Sequence, residues 1–114
     1  MITGTFKRNE AGRIVSFELS GHAEAGPYGS DIVCAAVSAL AISTVNGIDA
    51  LAGFEPIVEM NEDEGGYLYV GTLSTINQEQ KNIAQILLEN LLLGLQTIEK
   101  ENLEFIQINT ITEK

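Results

Sequence analysis

The hydrophobic spacing of this chain switches from a repeat of two to a repeat near 3.6 and back, twice over, and that alternation limits the fold more than any other feature. "MITGTFKR" and "RIVSFELSG" put Ile2, Gly4 and Phe6 on one side of the first segment and Val15, Phe17 and Leu19 on one side of the second. That is the period of half-buried strands. "NEAG" between them, with Gly12 free to take a positive φ, predicts a hairpin. From Asp31 to Leu51 the spacing turns helical, with Val33, Val37, Leu40, Ile48 and Leu51 near one face. Asp31 is placed to cap that helix and Gly53 to stop it. "FEPIVEM" and "YLYVGTLS" return to strand spacing around the acidic turn "NEDEGG". A second helix then runs from Asn77, which forms a capping-box pattern with Gln80, to about Glu99, and "LEFIQINTI" closes the chain as a strand.

The order β-β-α-β-β-α-β predicts an α+β fold: two layers, with an antiparallel or mixed sheet and two helices packed on one side. At 114 residues the chain suits one domain spanning 1–114. The second helix carries more apolar surface than one sheet-facing side needs. Ile83, Leu87, Leu91, Leu95 and Ile98 make one stripe, while Ala84, Leu88, Leu92, Ile86 and Leu93 spread well beyond it. The surplus predicts a homodimer.

Sixteen acidic residues against six basic ones give a net charge of −10. Such a surface repels phosphate backbones and anionic lipid, so neither nucleic acid nor a membrane surface is an expected partner, whereas a basic polypeptide is. The run Ile86–Leu95 is too short for a bilayer and is interrupted by Glu89 and Asn90. One cysteine excludes an internal disulfide, and the opening residues lack a secretory pattern, so the expected location is the cytoplasm.

That cysteine, Cys34, and the only histidine, His22, stand twelve positions apart across "GHAEAGPYGSDIVC". A thiol near a helix start lies in the field that favours its anion, and an imidazole brought to it by a glycine-rich connection can take the proton. Gly21, Gly26 and Gly29, with Pro27, let this connection bend and approach a peptide closely, and Tyr28 and Ser30 lie in the same stretch. Asp31 can cap the helix or hold the imidazolium, and Ser38, one turn after Cys34, shares its face. The amides of Val33 and Cys34 are candidates for an oxyanion hole if they lie at the helix start. Two blander readings stand beside this one: Cys34 as a small core hydrophobe and His22 as a structural ring. A phosphate cradle at "GPYGSD" is disfavoured, since no lysine follows and Asp31 opposes an anion. A metal site is disfavoured too, because Cys34 and His22 have only Asp31 or Glu24 nearby to complete a set. Neither metal nor cofactor is expected.

"SGHAEAGPYGSDIVCAAVSAL", Ser20 to Leu40, resembles the signature of the bacterial ribosomal-processing cysteine protease family, Prp. In that signature a Gly-His pair, a glycine-containing loop and an Asp-x-x-Cys-x-x-x-Ser helix start follow in order; here they are Gly21-His22, residues 23–30, and Asp31, Cys34 and Ser38. The resemblance implies an endopeptidase that removes a short N-terminal extension from a large-subunit ribosomal protein, cutting after a phenylalanine-ended segment and before a small residue. It implies Cys34 as nucleophile, His22 as general base and acid, Asp31, Ser38 and Gly21 in support, and a substrate contacted by Gly26, Tyr28, Gly29 and Ser30. The alternative of another class is a non-catalytic dimeric ribosome-assembly or protein-interaction module with Cys34 as packing.

Overall fold

The computed structural model describes residues 1–21, 29–61 and 66–113. Among these residues five strands and two helices follow the expected order: β1 (Ile2–Arg8), β2 (Ile14–Ser20), α1 (Gly29–Gly47) continued by a π-helical turn (Ile48–Ala52), β3 (Ile57–Asn61), β4 (Tyr67–Gly71), α2 (Gln78–Glu101) and β5 (Ile106–Thr112). The sheet order is β3-β4-β2-β1-β5. β1 pairs antiparallel with β2 and parallel with β5, so the sheet is mixed. Its inner face, with Ile2, Phe6, Phe17, Leu19, Val70 and Ile106 buried, packs beneath the helices, and the Phe6 and Phe17 rings stack at 5.4 Å.

The inward set of β2 differs from the strict alternation. The register slips between Lys7 and Arg8, which pair with Ser16 and Ile14, so Val15 is the extra residue of a bulge. Ile14 is fully buried in its place. The Gln85 side chain holds the irregularity: its Oε1 accepts from the Ile14 N–H at 2.9 Å and its Nε2 donates to the Ile14 carbonyl at 2.6 Å. The last strand also starts later than its alternation suggests, at Ile106, with Leu103–Phe105 in a turn.

Helix α1 buries Val33, Val37, Ala41, Thr44, Ile48 and Ala52, a spacing of three and four throughout. Leu40 and Leu51, expected on that face, are exposed. Leu40 is turned toward α2, where its Cδ1 lies 3.1 Å from where a Cβ on Gly94 would stand. Small side chains at 41, 44 and 52 take the inner face instead. Gly53, at φ 77°, ends the segment by donating to the Ile48 carbonyl at 3.1 Å. Ile32–Ala52 is long and apolar enough to cross a membrane by length and composition alone, but here its inner face is part of the protein core.

Helix α2 opens as its capping box predicts: Asn77 Oδ1 accepts from Gln80 N–H at 2.9 Å and Gln80 Oε1 from Asn77 N–H at 3.0 Å. Most of its surplus apolar surface is covered within the chain, because α2 is flanked by the sheet and by α1 with its π-helical turn. Ala84, Leu88, Leu91, Leu92 and Leu95 are buried, and Ile86 and Leu93 remain exposed.

A bidentate pair fastens α2 to the sheet: Arg8 donates through its two terminal nitrogens to Glu89, at 2.6 and 2.9 Å. That hydrogen bond, partly opposed by lost hydration, holds the Glu89 carboxyl below its ordinary range. Because the folded-state value is depressed, the pair stabilises the fold above the ordinary glutamate range and the contribution fades as pH falls through it. Glu89 is 42% exposed, so water screens the interaction and its worth stays under about 1 kcal/mol. Glu89→Gln is expected to lower the melting temperature slightly at pH 7, with the gap to the native chain closing in acid. A gap that widens in acid would contradict this.

Candidate active site

At one end of the sheet an open cleft of about 450 Å³ separates the start of α1 from the strands. Cys34, Val37, Ser38, Ala41 and Ile42 form its helical wall. The strands supply Ile2 from the start of β1, Leu19 and Gly21 from the end of β2, Met60 and Asn61 from the end of β3, and Gly66, Tyr67 and Leu68 from the start of β4. The antiparallel register explains this gathering: Leu19 pairs with Leu68 and Leu68 with Met60, so one inward-facing row runs across three strands.

Cys34 is a free, half-buried thiol that packs against the core and also lines the cleft. Ser38 stands one turn on, on the same wall, as the i, i+4 spacing requires. Gly21 forms the end of the cleft, where its N–H donates to the Gly66 carbonyl at 3.1 Å and ties β2 to β4. Its φ of 88° and the carbonyl oxygen of Met1, which occupies the place of a Cβ, make glycine the residue that fits.

Cys34, Ser38 and Gly21 therefore lie at a single cleft. His22, Gly26 and Tyr28, with the rest of 22–28, lie outside the described residues. Gly29 and Ser30 form the first turn of α1 together with Asp31, so Asp31 is inside the helix rather than at its cap. Cys34 is accordingly the sixth helical residue, deeper in the helix than a cap at Asp31 would place it. Its amide then falls beyond the four N–H groups that a helix start leaves unpaired, which removes the basis for an oxyanion hole at Val33 and Cys34.

Met60, Asn61, Tyr67 and Leu68 are wall residues that spacing did not single out. Tyr67 donates to the Glu18 carboxylate at 3.2 Å on the outer face of the sheet. Partial desolvation pushes its phenol above the ordinary value, and the hydrogen bond to Glu18 with the Glu18 and Glu59 charges pushes it the same way. Tyr67 is thus a neutral donor at physiological pH. Among the described residues the cleft offers the Cys34 thiol, the Ser38 hydroxyl and the Asn61 amide against a mostly apolar wall, an arrangement suited to seating an apolar side chain beside a nucleophile.

The family model for "Cysteine protease Prp" matches residues 1–107. The ribosomal processing cysteine protease Prp of Bacillus subtilis is 38% identical over 110 residues, covering 96% of this chain and 97% of its own. Among solved structures, a Streptococcus mutans protein superposes with a TM-score of 0.88 at 40% identity, covering 99% of this chain and 96% of its own. Prp of Staphylococcus aureus, crystallised with a covalently linked product peptide, superposes with a TM-score of 0.76 at 38% identity, covering 96% of this chain and 99% of its own. With the family model matched over nearly its whole length and relatives this similar across theirs, this chain belongs to the Prp family of cysteine proteases.

Proposed function

We propose that this protein is an endopeptidase that removes a short N-terminal extension from a large-subunit ribosomal protein, with Cys34 as nucleophile and His22 as its general base and acid. The observation that carries the reading is a half-buried free thiol on the wall of an open, apolar cleft. The B. subtilis relative is named for ribosomal processing, and the S. aureus relative holds a covalently linked product peptide. In this reading His22 takes the Cys34 proton and the thiolate attacks the scissile carbonyl carbon. The C–N bond then breaks, the amine leaves with the proton held by His22, and a thioester remains on Sγ. Water activated by His22 hydrolyses the thioester and restores the thiol. Asp31 and Ser38 act as positioning residues, and Gly26, Tyr28, Gly29 and Ser30 contact the peptide. The net charge of −10 draws a basic ribosomal protein to the enzyme. The place of action is the cytoplasm, where such a substrate is made. The test is incubation with a peptide containing Phe-Phe before Ala: cleavage at that bond, blocked by prior iodoacetamide labelling of Cys34, is expected. An intact peptide, or cleavage undiminished by labelling, would refute the reading.

The homodimer belongs to the same proposal. Ile86 and Leu93 stand seven residues apart on α2, 69% and 62% exposed, and Leu40 of α1 lies over Gly94 beside them. Burying each such side chain is worth about 1.5–3 kcal/mol. Sedimentation at micromolar concentration is expected to give a dimer and Leu93→Glu a monomer; a native monomer would count against the interface.

A further inference from the structure

At the other end of β2 and β4, about one strand length from the Cys34 cleft, a second cleft of about 380 Å³ opens between the sheet and the first turns of α2. Its lining includes Arg13 and Lys81, two of the six basic residues in the chain, and no acidic residue. That is unexpected in a protein with 16 carboxylate side chains. Arg8 spends its charge on Glu89, but among the described residues neither Arg13 nor Lys81 makes an ion pair. The two terminal nitrogens of Arg13 reach only the neutral side-chain oxygen of Asn82, at the long distance of 3.4 Å. The Lys81 ammonium and the Ser74 hydroxyl have no hydrogen-bond partner among the described residues. Elsewhere in the lining the polar groups are engaged with the protein itself: Gln85 clamps the Ile14 backbone, and Thr72 donates to the Val15 carbonyl at 3.3 Å. Behind the unspent donors lies an apolar floor that includes Leu73, Ile76 and Ala84.

We propose that this cleft binds an amphipathic monocarboxylate, such as the terminal carboxylate of an apolar peptide residue, with Arg13 and Lys81 on the carboxylate and the floor beneath the side chain. The donor set favours an anion, since carboxylate–guanidinium pairing is the strongest use of Arg13 available. The cleft is larger than a bare oxyanion, and its floor rewards an apolar body. The overall charge of −10 decides between a monoanion and a dianion, because every further negative charge on the ligand meets the repulsion of the whole surface.

Titration of the protein with N-acetyl-leucine, its neutral amide N-acetyl-leucinamide, and inorganic phosphate, followed by backbone amide NMR, tests this. Saturable shifts around Arg13–Val15 and Thr72–Ile76 with N-acetyl-leucine are expected, with the neutral amide and phosphate each at least about tenfold weaker. The Arg13→Gln, Lys81→Gln double variant should lose the response while keeping its other resonances and its peptide cleavage. Equal binding of the neutral amide, tighter binding of phosphate, an undiminished response in the double variant, or no saturable shift in the native protein would each overturn the proposal. The readout is binding, so it stands or falls separately from the protease reading.

Discussion

Replacing Cys34 by alanine is expected to abolish peptide cleavage, with a loss of at least about ten-thousand-fold, and to leave the fold in place. The side chain is half-buried at the edge of the core, so losing one sulfur costs little beside a core truncation, roughly 1 kcal/mol or less. The substitution removes the only atom in the described cleft able to form a covalent link to a carbonyl carbon at modest cost, since a serine hydroxyl such as that of Ser38 ionises far less readily. His22→Ala is expected to lose activity on a similar scale. In the proposed mechanism the thiol and imidazole act as a unit, so the double variant should be no worse than either single one. A packing role for Cys34 makes the opposite forecast: Cys34→Ala would lower stability and leave turnover per folded molecule intact. Measuring turnover and thermal unfolding on the same samples separates the two. Cleavage by Cys34→Ala within tenfold of the native rate would remove the thiol from the reaction.

Helix α2 was legible because its start is written locally: Asn77 and Gln80 satisfy each other's backbone across three residues, with no help from the rest of the fold. The pairing of Cys34 with Ser38 on one wall follows from helical geometry alone in the same way. What escaped the reading depends on neighbours distant in sequence. The bulge that exchanges Val15 for Ile14 is held by Gln85, 71 residues away, so strict alternation could not reveal it. Choosing between Leu40 and Ala41 for the inner face of α1 required knowing how closely α2 approaches, and residue size pointed to the wrong one. The far wall of the cleft depends on strand order. A period of two marks Leu68 and Val70 as sharing a face, but it does not say that β4 lies beside β2, or that the end of β3 brings Met60 and Asn61 opposite Cys34. The apolar surplus of α2 was legible as a quantity but not as a destination: most of it faces α1 and the sheet, and the remainder is the pair Ile86 and Leu93.

Gly21→Ala is expected to lower stability by about 3 kcal/mol and to reduce cleavage at temperatures where the variant is still folded. Two costs combine. At φ 88° an L-residue is strained, and the new Cβ would fall on the carbonyl oxygen of Met1, with Ile2 Cα 3.7 Å away. The neighbour cannot retreat freely, because Ile2 is buried and its N–H donates to the Phe105 carbonyl at 2.8 Å. Relief has to come from Gly21 itself, which strains its hydrogen bond to Gly66 and shifts the end of the cleft. The displaced peptide unit leads directly into His22. A base misplaced by about an ångström costs on the order of a hundredfold in rate, so turnover should fall by tenfold or more while binding of the peptide weakens less. Gly12→Ala supplies the control. Gly12 has nearly the same φ, 86°, but nothing lies within 4 Å of its added Cβ, so it should lose only the conformational share, about 1 kcal/mol, and cleave normally. If the two variants unfold at the same temperature, the clash with Met1 carries no weight; if Gly21→Ala cleaves at the native rate, the end of β2 does not set the position of His22.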